Sequence, residues 1–136
     1  MYQSILVPVE MSNAENSQAT IDLCKSIGGD NVKITLLHVF EEIPKWAATN
    51  LPKDIMNASV QSATDELNKI AGEQGDNVQA EIRVGHAYKT ILDTAEEIGA
   101  DLIIVASHQP GLQDYFLGST AAKVVRHARC SVLVMR

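Results

Sequence analysis

A chain of 136 residues is long enough to bury a core without disulfides or a metal, and its length fits one domain, residues 1–136. It is 46% hydrophobic, 21% charged and only 4% aromatic, with a formal net charge of −6. So few rings argue against base stacking, and the acidic balance argues against a nucleic-acid surface, although helix and loop amides can still hold a small anion locally.

Ile5-Leu6-Val7-Pro8-Val9 is a short continuous apolar run, the pattern of a strand covered on both faces. The run is too short to be a signal peptide core or a membrane span, and no basic segment precedes it. It breaks at Glu10-Met11-Ser12-Asn13, where Ser12 or Asn13 is placed to cap a helix with Glu15 in its first turn. Ala14, Ser17, Ile21, Cys24 and Ile27 form one helical stripe, stopped by Gly28-Gly29. Val32–Val39 reads as a second strand, in which His38 is expected to be a structural histidine. Phe40–Pro52, with Pro44, Trp46 and Pro52, reads as an irregular connection in which Trp46 packs. From Met56, the residues Val60, Ala63, Leu67 and Ile70 mark an amphipathic helix that Gly72 and Gly75 end.

Val78, Ala80, Ile82 and Val84 alternate with polar residues, which predicts a strand with one wet face at a sheet edge. A helix with Ala87, Ile91, Ala95 and Ile98 on one face follows and stops at Gly99. Leu102–Ala106 is continuous and apolar, hence central. Ala121, Val125 and Ala128 mark a short helix, and Ser131–Met135 is a fifth strand. Helical crossovers between strands predict an α/β fold: a doubly wound, five-stranded parallel sheet in the order 3-2-1-4-5, flanked by four helices. Cys24 on a helix face and Cys130 before the last strand are not spaced as metal ligands and read as buried structural thiols. Two free thiols and no export signal predict a cytoplasmic protein without membrane contact.

In this topology, ligands bind outside the carboxyl ends of the two central strands. Those ends bring Pro8-Val9-Glu10 beside Ala106-Ser107-His108, and Gly118-Ser119-Thr120 opens the helix beyond the loop. Neither a GxGxxG nor a GxxxxGK[ST] motif is present, which argues against a dinucleotide site and a P-loop. A phosphoacceptor receiver would need an acidic pair after the first strand, where Glu10 stands alone, and an Asp ending the third, where Arg83-Val84-Gly85 stands. Ser119 follows Gly118 at a helix start, so its hydroxyl and the next amides can donate to phosphate oxygens. His108 can donate to a phosphate or bond the backbone. His86 and His127 are expected at the surface, and Lys123, one turn beyond Ser119, in solvent.

Ile5–Glu10, Leu36-Leu37-His38-Val39, Ala100–Ile104, Ser107-His108, Leu117-Gly118-Ser119 and Cys130–Val134 together resemble the universal stress protein family. The resemblance spans essentially the whole chain and is nearest to the enterobacterial F/G-type subgroup, whose loop also reads Ser-His-x-Pro. It implies an adenine nucleotide alpha hydrolase-like fold and a stress-response regulatory role. ATP, AMP or ADP, with or without Mg²⁺, is the implied ligand. The family's Gly-x2-Gly-x9-Gly-[Ser/Thr] loop falls here on Ala106, Gln109 and Gly118-Ser119, with eight residues between Gln109 and Gly118 rather than nine. Two of the three glycines are replaced, and Pro110 removes an amide donor. The resemblance implies adenine near Val39 and Val105, ribose near Pro8, Val9 and Glu10, and phosphates near His108, Gln109, Gly118, Ser119 and Thr120. It also implies a homodimer through Val132–Met135, an apolar edge strand that would otherwise invite pairing. With no P-loop lysine and one lone acid, any ATP hydrolysis is expected to be slow; a nucleotide-free interaction module is the alternative.

Overall fold

The computed structural model describes residues 1–11, 17–41, 53–106 and 118–135. Five parallel strands, β1 (Ser4–Pro8), β2 (Lys33–Glu41), β3 (Val78–Gly85), β4 (Leu102–Ala106) and β5 (Ser131–Met135), lie in the order β3-β2-β1-β4-β5. The helices among the described residues are α1 (Ser17–Gly28), α2 (Lys53–Gly72), α3 (Ala87–Ile98) and α4 (Ser119–His127). The architecture is the one expected from the alternation of apolar runs and helical stripes.

The sheet divides the core into two layers. Ile5, Val7, Ile34, Leu36, Leu102 and Ile104 face α1 and α2, meeting Ile21, Cys24, Leu67 and Ala71. Leu6, Leu37, Ile103 and Val105 face the other way, meeting Ile91 and Ala95 of α3 and Ala121 and Val124 of α4. Successive residues of a strand point to opposite faces, so continuous apolar runs belong to strands covered on both sides. Burying each large aliphatic side chain contributes roughly 1.5–3 kcal/mol.

Helix ends follow the glycines. Gly29, at φ 84°, receives the chain after α1, its amide bonded to the Lys25 carbonyl at 3.0 Å. Gly75 has φ 103° in the turn after α2.

Four expectations need correction. The stripe on α4 runs through Ala121 and Val124, while Val125 is 45% exposed. Phe40 is not in a connection: β2 continues through Glu41, paired with β3 as far as Gly85. The helix expected from Met56 already begins at Lys53. Cys24 is fully buried as expected, but Cys130 is only half-buried. The cap at Ser12 or Asn13, Glu15 and Trp46 lie outside the described residues.

Candidate functional site at the carboxyl ends of β1 and β4

The central pair is β1 and β4, with Ile5 opposite Leu102 and Leu6 opposite Ile103. That pairing ends at Leu6 and Ile103, short of Pro8 at the end of β1 and of Val105 and Ala106 at the end of β4. Pro8, half-buried, closes β1; Val9 is buried and Glu10 is exposed. An acid at the end of a central strand would need a partner if it were buried, and the exposed Glu10 needs none. Ala106, the last residue of β4, is exposed, whereas Val105 is core. Val39 on β2 is half-buried against the same layer as Val105 and Ala121. His108 and Gln109 lie outside the described residues.

Gly118 is the N-cap of α4, with φ −58° and ψ 153°, and its carbonyl accepts the Ala122 amide at 2.8 Å. Any residue adopts that backbone conformation. A Cβ built on Gly118 would meet no described atom within 4 Å. Neither backbone geometry nor the described packing therefore calls for glycine here. Bare backbone at a helix start is what close approach of an anion to the first amides requires. Ser119 and Thr120 follow as the first two helical residues, exposed and half-buried. No acidic residue occupies the first turn and, among the described residues, no side chain caps it, while Arg126 and His127 lie in the last turn. Among the described residues, no side-chain charge faces the positive end of the helix dipole at Ser119.

The tip of β1 is tied to β2 in an unusual way. The Val9 amide donates to the Leu37 carbonyl at 2.7 Å, as a parallel ladder requires. The Val9 carbonyl instead accepts from the His38 ring, Nδ1 lying 2.8 Å away. A carbonyl only accepts, so His38 Nδ1 carries a proton. His38 is thus the structural histidine expected, further packed edge-on to Phe40 with ring centroids 4.7 Å apart.

The remaining histidines sit elsewhere. His86 and His127, both exposed, flank Tyr88, with centroids 4.9 and 6.2 Å from its ring. Lys123 Nζ lies 4.9 Å from the same ring centroid, so a cation–π contact engages it. Two clefts open away from the candidate site. One, of about 250 Å³, lies among Leu92, Ile103, His127 and Cys130; the other, of about 430 Å³, among Lys25, Asp30, Gln74 and Asn77. No group of three or more metal-ligating side chains occurs among the described residues. No helix among them is long and apolar enough to cross a membrane.

Asp101 is the residue that sequence reasoning missed. Its carboxylate accepts the Gln3 amide at 2.8 Å and the Ser4 amide at 3.0 Å, clasping β1 to the start of β4. An acid placed directly before a central apolar strand was the available signal.

Comparison with known proteins identifies the family and supports the fold. The model of the universal stress protein family matches residues 1–136. Universal stress protein G of Shigella flexneri is 29% identical, the alignment covering 100% of both chains. The solved structure of universal stress protein UspA from Lactobacillus plantarum has a TM-score of 0.77 at 28% identity, covering 99% of this chain and 98% of that one. The universal stress protein from Archaeoglobus fulgidus in complex with dAMP shares the fold, with a TM-score of 0.62 at 19% identity over 99% and 98% of the two chains. The chain belongs to the universal stress protein family.

Proposed function

We propose that this protein is a stress-response regulator that binds an adenine nucleotide, ATP or a monophosphate such as AMP, across the carboxyl ends of β1 and β4. The observation that carries the reading is Gly118: a glycine at a helix start that no described side chain caps, required by neither its dihedral angles nor its described neighbours. Phosphate oxygens would accept from the first amides of α4 and from the Ser119 hydroxyl. The half-buried Val39 would meet the base, and Pro8, Val9 and Glu10 the ribose. An exposed Glu10 is free to accept from a ribose diol or to approach a Mg²⁺ carried in with the nucleotide. The dAMP complex of the Archaeoglobus protein supports the ligand class.

Binding is favoured over turnover. Phosphoryl transfer needs cationic groups at the transferring phosphate. Lys123, one turn beyond Ser119, is instead held over Tyr88. The protein would act in the cytoplasm, as one domain, and as a homodimer through the edge strand β5.

The test is to denature freshly purified protein, identify released nucleotide by mass spectrometry, and titrate AMP and ATP with and without Mg²⁺ by calorimetry. Adenine nucleotide in the released fraction and saturable binding are expected. No released nucleotide together with no heat of binding sinks the reading and leaves a nucleotide-free interaction module.

A further inference from the structure

In a parallel ladder, a residue that donates to one carbonyl of its neighbour accepts from the amide two residues further along. Val9 donates to Leu37, so its carbonyl should accept the Val39 amide. Among the described residues that bond is not made; the His38 ring takes the Val9 carbonyl instead. The backbone pairing of β1 with β2 therefore stops at Leu37, while β2 itself continues through Glu41. Beyond this point the alternation of the ladder turns the Val39 amide toward β1, where the Val9 carbonyl is bonded to the His38 ring in its place.

We propose that His38 is a positioning residue for ligand binding: its Nδ1–H holds the Val9 carbonyl, stops the β1–β2 ladder one step early, and keeps the Val39 amide available at the crevice. The alternative arrangement is close at hand. If the ring let go, the carbonyl and the amide would need only the ordinary ladder geometry to join, and a desolvated carbonyl favours doing so. Closing that bond would spend the donor that a flat, acceptor-bearing base could use, and would draw the tip of β1 toward β2. The bond does not depend on imidazole charge, because Nδ1 keeps its proton in both the neutral tautomer and the cation.

This inference rests on the nucleotide reading, and two readouts separate them. The first needs no ligand: hydrogen exchange of the Val39 amide, by NMR, in wild type, His38→Asn and His38→Leu. Asn places a donor where Nδ1 stood; Leu fills similar space without one. Fast exchange is expected in wild type and His38→Asn, and at least tenfold slower exchange in His38→Leu. The second is AMP affinity by calorimetry, expected within about threefold of wild type for Asn and at least tenfold weaker for Leu.

Unchanged Val39 exchange in His38→Leu overturns the proposal whatever AMP does. Slowed exchange with undiminished AMP affinity also overturns it, because the freed amide would then be irrelevant to the ligand. Slowed exchange in a protein whose wild type binds no nucleotide refutes both the nucleotide reading and the ligand-positioning role. Should His38→Leu fail to fold, His38→Gln displaces the donor and takes its place under the same criteria.

Discussion

Asp101 and Ser4 exchange two hydrogen bonds: the Asp101 carboxylate accepts the Ser4 amide at 3.0 Å, and the Asp101 amide donates to the Ser4 carbonyl at 2.9 Å. With the Gln3 amide on the other carboxylate oxygen, one side chain satisfies the two donors that open β1. Strand β1 is central, so its entry point sets the register that places Ile5 opposite Leu102 and Leu6 opposite Ile103.

Partial burial works against charge on Asp101, yet the amides of Gln3, Ser4 and Asp101 itself, aided by the N-terminal ammonium, hold its carboxyl below the usual range. A depressed carboxyl stabilises the fold above its unfolded value, roughly 3.9, and that contribution is lost as pH falls through the folded value. Asp101→Ala is expected to cost about 2 kcal/mol at pH 7, the scale of a hydrogen-bonded charged group. The deficit against wild type should shrink below about pH 4 in urea titrations. An equal deficit at pH 7 and pH 3 would show that the carboxylate charge contributes nothing.

The two thiols should be chemically distinct. Burial raises the Cys24 thiol to about 11, with its own backbone contact only partly offsetting this, and the side chain is 0% exposed. Cys130, half-buried, is raised by burial and by the Asp101 charge but remains reachable. A thiol reagent at pH 8 is expected to modify one cysteine per folded chain, slowly, and both after denaturation. Immediate reaction of both in the folded protein would contradict the packing of α1 on the sheet.

The fold was readable because its signals are redundant: an edge strand alternates, central strands do not, and glycines stop the helices. Val125 shows the limit. Apolar residues at 121, 124, 125 and 128 fit two neighbouring stripes on a nine-residue helix, and periodicity alone does not choose between them. The structure chooses Val124, which is fully buried, and turns Val125 outward. His38 was legible as structural but not as a ladder terminator, because the atom it bonds is a backbone carbonyl 29 residues away. The helix start at Gly118-Ser119 was legible from the sequence. The meaning of Ala106 was not, because it depends on the loop that follows it.

Strand β5 pairs with β4 on one side only, and Leu133 at its middle is 37% exposed. Val125 is also exposed on α4, the helix before this strand. An open apolar edge favours a second copy of the chain, consistent with the proposed homodimer. Leu133→Lys places a charge where that pairing would occur and should shift the protein to monomer at about 10 µM in sedimentation, with far-UV circular dichroism unchanged. Dimer persisting in this variant would place the contact elsewhere.

Gly99 and Gly118 offer a pair of substitutions with opposite signatures. Gly99 caps α3 at φ 67° and ψ 37°, the left-handed region, and a Cβ there would touch nothing within 4 Å. The penalty for Gly99→Ala is therefore backbone strain alone, about 1–2 kcal/mol, visible as a lowered unfolding midpoint with AMP affinity intact. Gly118→Val meets no strained dihedral and no described neighbour, and replacing a glycine N-cap should cost no more than about 1 kcal/mol. Its side chain would project where the phosphates are proposed to sit, so AMP affinity should fall at least tenfold. The two variants, measured side by side for urea midpoint and calorimetric affinity, separate a glycine that serves the fold from one that serves a ligand. If Gly118→Val kept full affinity, the phosphate position at the start of α4 would be wrong, whatever nucleotide the protein carries.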